Sequence, residues 1–433
     1  MSQVVSQSSR FPQLRAENIS FLQGAGAGIG SMLMIAGVIA AAVCGLIGWQ
    51  GVGGVTVKHA LAAYHIGAMS VLAMCLGALF FCLAFHLLQA GWVATVRRQF
   101  ENVASFLPFA FLLVVPTLVI EIASGGKLFQ WLPDAAAGNP LLNHKAFYFF
   151  GNAELGTGHT PFPLFFVIRA VLYGLIWTYL SRRIIALGRQ QDEAPDAGPF
   201  AAARFTSAWG MLIFALTTAF AAFDWVMALD YKFFSTMWGV YYFAASAFSS
   251  VAVVVLILSV LRSKGKLVGA VGPEHFHDLG KLQLSFTIFW AYIAFSQYFL
   301  IWYSNIPEET AYMKYRSEHW RTLGIILIIG HFAAPFLILL FREVKRNYRL
   351  LSLIAVWAII IHILDILWAV RPMVYSHLPE APSGAVVIAT DVIGILAVIL
   401  IFAGYLVRRV PSAALVGVGD PFMSEAIAHK NYV

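Results

Sequence analysis

Ten long apolar stretches divide this 433-residue chain, and each is long enough to cross a bilayer as a helix. A transmembrane helix needs about 20 apolar residues, because lipid offers no partners for the backbone polar groups. Only 11% of the residues are charged, whereas ordinary soluble domains carry about 25%. The sequence therefore predicts an all-α fold, a polytopic membrane helical bundle with about ten transmembrane helices.

The predicted spans use nearly the whole chain. The domain division that follows is a cytoplasmic N-terminal segment at 1–24, a transmembrane bundle at 25–407 and a cytoplasmic C-terminal tail at 408–433. The predicted helices cover residues 25–48, 67–90, 103–122, 161–181, 207–228, 235–261, 281–303, 322–341, 349–370 and 385–407.

The distribution of Lys and Arg predicts the orientation of the bundle. With both termini inside, the cytoplasmic segments carry 19 basic residues and the opposite loops carry 8, among them Arg316 and Arg371. Cytoplasmic loops are enriched in Lys and Arg, so both termini are expected in the cytoplasm. The net charge of +7 is then explained by these loops, and no nucleic-acid partner is expected.

Seven ionisable residues within or at the ends of the predicted spans fall in the outer half of the membrane. They are Asp224, His331, His362, Asp365, Asp391, Arg169 and Glu121. Such groups are costly in lipid and usually mark proton, ion or substrate pathways. The set predicts a proton path or a quinone pocket. The alternative is that these groups pair with one another and hold the bundle together.

Metal and haem ligands are not evident in the sequence. Cys44, Cys75 and Cys82 all lie in apolar stretches and form no CxxC or CxxCH motif. The chain is therefore not expected to bind an iron–sulfur cluster or a c-type haem by itself. The segment 275–278, His-Phe-His-Asp, is too generic for a metal site and is expected to form a solvated turn.

Three stretches carry a family resemblance. They are FDWVMALDYKFFSTMWGVYYFA (223–244), HDLGKLQLSFTIFWAYIAFSQYFLIWYSNIPEET (277–310) and GHFAAPFLILLFREVKRN (330–347). These stretches resemble the NrfD-like, and specifically the ActF-like, integral membrane subunits of alternative complex III, a bacterial quinol:cytochrome c oxidoreductase. The resemblance covers residues from about 200 to 375 and the arrangement of the chain in ten spans.

The resemblance implies a fold of paired four-helix bundles in the bacterial cytoplasmic (inner) membrane. It implies partners: an ActC-like membrane subunit, multihaem cytochrome c and iron–sulfur subunits that carry the haem c and the clusters, lipids, and a terminal oxidase. Quinone or quinol is the ligand that such a subunit could bind. Asp224, His331, His362 and Asp365 lie within or beside the matching stretches, which implies a role in a proton path.

Three functions remain open on the sequence alone. The first is a subunit of a respiratory quinol oxidoreductase with no complete catalytic activity of its own. The second is a stand-alone proton-coupled transporter, which broken helices and inverted repeats would favour. The third is a structural membrane anchor whose buried charges only hold helices together.

Overall fold

A computed structural model describes residues 11–22, 24–151, 161–193, 197–375 and 384–431. Within these ranges the protein has ten helices long and apolar enough to cross a membrane, which confirms the predicted polytopic helical bundle. They are α1 (Ala27–Gln50), α2 (Val57–Leu87), α3 (Arg97–Ala123), α4 (Leu164–Glu193), α5 (Ala197–Trp225), α6 (Met237–Ser263), α7 (Pro273–Ser304), α8 (Arg321–Leu340), α9 (Tyr348–Tyr375) and α10 (Ala385–Arg409).

Several helices are longer than their apolar runs. The start of α2 precedes the predicted start by ten residues, and α4 continues twelve residues beyond its predicted end. Apolar composition marks only the part of a helix that meets lipid, whereas the helices continue into polar ends. The expectation of a solvated turn at 275–278 is wrong for the same reason, because these residues lie in the first turns of α7 and His275 is 3% exposed.

The long helices form two groups of four, and α1 and α10 pack beside them. Helices α2 to α5 contact one another, as do α6 to α9, and α2 packs against α6 where the two groups meet. The two central helices approach closely at Gly77, where a Cβ atom would lie 2.0 Å from the carbonyl oxygen of Ser246. The Tyr242 hydroxyl of α6 also donates a hydrogen bond to the Met69 carbonyl of α2 at 2.8 Å. This is the paired arrangement that was expected.

Helix α1 is held mainly by α10 through small residues. A Cβ atom on Gly37 would lie 2.5 Å from the Ala397 carbonyl oxygen, and one on Gly404 would lie 2.5 Å from the Gly30 carbonyl oxygen. Glycine lets helix backbones approach closely where lipid gives no hydrophobic drive for association. The other faces of α1 are apolar and exposed, as at Ile29 and Met32, and suit contact with lipid.

The described N-terminal segment and C-terminal tail lie on one side of the bundle, here called the terminal side. The Leu415 N–H donates to the Ile19 carbonyl at 2.8 Å, which joins the N-terminal segment to the tail. Arg97 at the start of α3 pairs with Asp420, and Gln99 donates to the Leu415 carbonyl at 2.7 Å. The described part of the tail is thus packed onto the ends of the helices.

The opposite side, here called the loop side, carries two folded connections. Between α3 and α4, Trp131 stacks on Phe149 with ring centroids 4.3 Å apart. Between α7 and α8, a helix spans Pro307–His319. Both connections cover helix ends and position the residues described next.

Candidate functional site

Glu121, near the end of α3, holds the loop that follows its own helix. Its carboxylate is fully buried and accepts hydrogen bonds from the backbone N–H groups of Lys127, Leu128 and Phe129 at 2.8 to 2.9 Å. Both carboxylate oxygens are used. These contacts suit a local structural role, because the loop satisfies the charge completely.

Arg169 and Asp224 pair with each other. Two guanidinium nitrogens of Arg169 on α4 contact the two carboxylate oxygens of Asp224 on α5 at 2.7 and 2.9 Å. The Tyr173 hydroxyl donates a third hydrogen bond to Asp224 at 2.8 Å, and the Tyr148 ring lies 3.9 Å from the guanidinium carbon of Arg169. A bidentate pair of this kind is geometrically specific, and it ties α4 to α5 and to the loop-side connection.

Asp391 belongs to a second ion-paired cluster at the ends of α2, α9 and α10. It pairs with Arg371 and lies 3.2 Å from Nε2 of His59, whose Nδ1 contacts the Tyr375 hydroxyl. The assignment of Arg371 to a loop is wrong, because α9 continues to Tyr375 and Arg371 is only 2% exposed. His59 and Tyr375 gave no signal in the sequence, since both lie outside the predicted spans 67–90 and 349–370.

Asp365 lies at the centre of the α6–α9 group and has no basic partner among the described residues. Its two carboxylate oxygens accept hydrogen bonds from the Tyr241 hydroxyl and from Nε1 of Trp290 at 3.0 Å. The side chain is fully buried. A buried carboxyl group held by two neutral donors differs from Asp224 and Asp391, which are both paired with arginine.

His331 joins the same cluster through Trp290. It lies in a π-helical segment of α8, Ile328–Ala333, and its ring is stacked between Trp290 at 3.7 Å and Phe248 at 4.2 Å. Both ring nitrogens are buried without a hydrogen-bond partner. A π-helical bulge in an α-helix is frequently found at a functional site, and it here places an unpaired imidazole against the indole that holds Asp365.

His362 lies one turn before Asp365 on α9, as its spacing predicted, but contacts a different helix. Its Nε2 lies 3.2 Å from the Ser70 carbonyl oxygen of α2, and Nδ1 has no partner. His362 thus faces the junction between the two four-helix groups, while Asp365 faces Tyr241 and Trp290. Among the predicted residues, Arg169 and Asp224 contact each other directly, whereas Asp365 and His331 are joined only through Trp290, which contacts both.

A cavity of about 840 Å³ opens beside this cluster. Tyr241 and Trp290, the two donors to Asp365, both lie on its wall. The wall is otherwise mostly apolar and aromatic, and it reaches exposed residues of α7 and α8 such as Phe295 and Ile328. The lining also includes Trp238, Gln297, Arg316, Trp320, Gly324 and Trp368. Ligand sites for small apolar molecules have this size and this mixture of aromatic walls with few polar groups.

Three buried donors on the cavity wall have no partner within the described structure. They are Nε of Arg316, Nε2 of Gln297 and Nε1 of Trp238. Buried polar groups are normally hydrogen-bonded, so three residues that line the cavity each carry a donor that a ligand could engage after a small side-chain movement. Each of the three is a donor, and together they suit a ligand that presents carbonyl or hydroxyl oxygens.

Arg316 is the least expected of these groups. It was assigned to a polar outer loop, but it is 2% exposed in the helix Pro307–His319. It donates to the Ala369 carbonyl at 3.0 Å and stacks on the Tyr312 ring at 3.4 Å. Burial lowers the pKa of the Arg316 guanidinium from its ordinary value, although arginine remains protonated in proteins. One signal was present in the sequence: Arg316 follows Tyr312 by four residues, which places the two side chains on one face of a helix.

The described residues contain no group of three or more His, Cys, Asp or Glu side chains placed to hold a metal ion. The cavity and the Asp365 cluster instead suit an organic ligand with oxygen atoms. Tyr241 connects the two, since its hydroxyl contacts Asp365 and its ring lines the cavity.

Comparison with known proteins gives no further assignment of the site. No protein-family model matches this sequence, and no curated protein matches it significantly.

Proposed function

We propose that this protein is an integral membrane subunit of a respiratory quinol:cytochrome c oxidoreductase of the alternative complex III type. In this proposal it lies in the bacterial cytoplasmic membrane and contributes a quinone pocket and the first proton acceptor. The observation that carries the proposal is the cavity beside Asp365, with its three unpaired donors. The sequence resemblance to NrfD-like subunits supports it independently.

The cavity explains how the ligand would be held. A quinone ring would place its oxygens toward Nε of Arg316, Nε2 of Gln297 and Nε1 of Trp238, which make no hydrogen bond within the described chain. The aromatic wall would cover the ring, and the exposed side between α7 and α8 would leave room for an isoprenoid tail in lipid. Preformed, largely apolar pockets with a few placed donors bind such molecules.

Asp365 gives the pocket its proton chemistry. Quinol oxidation releases two protons and two electrons, and the electrons would leave to groups held by partner subunits. One of the two protons would pass by way of Tyr241 to the Asp365 carboxylate, because Tyr241 lines the cavity and its hydroxyl contacts that carboxylate. The other proton would leave to water or to a partner subunit. Carboxyl and imidazole groups within hydrogen-bond reach are the usual acceptors for such transfers, and His331 lies next along the cluster.

The quinone pocket is tested by binding to the purified full-length protein in detergent. Decyl-ubiquinone and a menaquinone analogue should each be titrated while tryptophan emission is recorded, since four tryptophans line the cavity. Saturable quenching is expected, and Gln297→Leu should weaken quinone binding about tenfold, because one quinone oxygen loses its hydrogen-bond donor. Gln283→Leu is the matched control, since it changes a buried glutamine of α7 that does not line the cavity.

Membership in the complex is tested by gentle purification of the tagged protein from its native membrane. Haem c absorption with co-eluting cytochrome and iron–sulfur subunits is expected. A colourless single component without quinone binding would contradict the proposal and favour a stand-alone transporter or an anchor. Equal weakening by Gln297→Leu and Gln283→Leu would place the quinone elsewhere.

A further inference from the structure

A second pocket, of about 460 Å³, lies on the terminal side and far along α7 from the cavity. It is formed by the start of α7, the short helix Arg342–Arg346 between α8 and α9, and the last described residues of the tail. Its polar lining comprises Glu274, His275, Arg342, Arg346, His429, Lys430 and Asn431. We call it the basic pocket.

The basic pocket carries more positive than negative charge. Arg346 pairs with Glu274 at 2.5 Å, and Asn431 donates to the other oxygen of that carboxylate at 3.1 Å. This leaves Arg342 and Lys430, which form no hydrogen bond or ion pair within the described chain. The Arg342 Nε atom is buried and unpaired. Arg342 and Arg346 both act on the single Glu274 carboxylate, so with Lys430 the pocket has an excess of positive charge. That excess suits an anion, and arginine matches the geometry of phosphate.

The surroundings of the basic pocket favour a lipid as the source of that anion. The chain reaches Arg342 directly from the end of α8, where Leu337, Leu340 and Phe341 are 59%, 52% and 63% exposed. These side chains would lie among acyl chains, so Arg342 stands at the level of lipid headgroups. Basic pockets between transmembrane helices bind acidic headgroups on the side where anionic lipids are enriched.

We propose that the basic pocket binds the phosphate headgroup of an anionic phospholipid. Arg342 and Lys430 contact the phosphate, and the acyl chains lie along the exposed residues at the end of α8. The bound lipid joins α7, the α8–α9 connection and the C-terminal tail, three parts of the chain that meet at this pocket.

Native mass spectrometry of the full-length protein tests this proposal. Phosphatidylglycerol and phosphatidylcholine should be added to the detergent-purified protein in matched amounts. The wild type should retain phosphatidylglycerol preferentially. Arg342→Gln combined with Lys430→Gln should weaken its retention roughly 25-fold, since each basic residue contributes about a factor of five near an anionic surface. Lys430→Gln alone, at an exposed position, should give about fivefold without disturbing the packing.

The control pair is Arg182→Gln with Arg183→Gln, which removes the same charge from exposed positions of α4 outside the pocket. It should leave lipid retention unchanged. An equal loss of lipid retention in the control pair would show that the effect is general charge attraction, and would contradict the proposed site. Displacement of the lipid by an equal concentration of inorganic phosphate would show a free-phosphate site and overturn the lipid assignment, as would equal retention of the two lipids.

Discussion

Asp365 differs from the other buried carboxylates in the groups that contact it. Asp224 and Asp391 each face an arginine, and Glu121 faces three backbone N–H groups. Asp365 has only a tyrosine hydroxyl and an indole N–H. The pairs of Asp224 and Asp391 with arginine can be explained by a structural role alone, because losing either partner would leave an unpaired buried charge. Asp365 is the carboxyl group whose surroundings leave it free to exchange a proton.

Asp365→Asn should therefore abolish most quinol oxidation without preventing assembly. Asparagine keeps the shape and one acceptor oxygen, but it cannot take up a proton, and a positioned acid or base contributes about 10²- to 10⁴-fold to rate. The measurement is quinol:cytochrome c reductase activity, with subunit content determined on the same preparation. Asp224→Asn is the matched control and should affect stability more than rate. A normal rate in assembled Asp365→Asn protein would remove the residue from the proton path.

The seven ionisable residues could be found from the sequence because charged groups are rare within apolar runs. Their partners could not be found in this way. Tyr241 and Trp290 are ordinary aromatic residues of membrane helices, and only their positions in space join them to Asp365. Arg316 was missed because it follows Glu308 and Glu309 in a polar stretch, which is typical of a solvated loop. The cavity is lined by such residues, and no sequence pattern indicated it.

At the scale of elements, the ten helices were predictable and their packing was not. Apolar length identifies a span, but it does not determine which helix lies beside which. The exception is α1, whose glycine-rich start at Gly24–Gly30 is typical of close helix packing. The structure places Gly30 and Gly37 against α10, so at this interface a local composition signal did indicate a tertiary contact.

Gly37→Val should destabilise the protein, whereas Gly45→Val in the same helix should not. A Cβ on Gly37 would meet a backbone carbonyl at 2.5 Å, while Gly45 has nothing within 4 Å of that position. The substitution at Gly37 forces α1 away from α10. Thermal unfolding in detergent should show a lower midpoint for Gly37→Val alone. Equal midpoints for the two variants would mean that α1 is not held by this contact.

Over the whole molecule, burial is uneven between the centre and the edge. Helices α2 and α6 are mostly enclosed by other helices, whereas α1 packs along one face. The three cysteines lie on helices that differ in how far they are enclosed. Cys75 and Cys82 lie on α2, and Cys44 lies on α1 near the carbonyl oxygens of Ala60 and Thr390. All three are buried thiols in the folded protein.

Cys44 should become reactive before Cys75 and Cys82 as the bundle is opened by increasing amounts of sodium dodecyl sulfate. Regions with fewer buried contacts open at lower cost than the core, and α1 is the least enclosed of the long helices described. Maleimide labelling of single-cysteine variants, followed by mass spectrometry, gives the order. Full labelling of each variant in excess detergent is the control. Simultaneous labelling would indicate that α1 and the central helices open as one unit.

The three unpaired atoms on the cavity wall are all donors, and this affects the reduction potential of a quinone bound there. A quinone offers two carbonyl acceptors to these atoms, whereas a quinol must also place two hydroxyl hydrogens, and the unpaired atoms Nε of Arg316, Nε2 of Gln297 and Nε1 of Trp238 cannot accept them. A site that binds the oxidised form more tightly lowers the reduction potential of its ligand, by linkage. Each tenfold preference corresponds to about 30 mV for a two-electron couple. A quinol in this cavity would thus be a stronger reductant than the same molecule dissolved in the membrane.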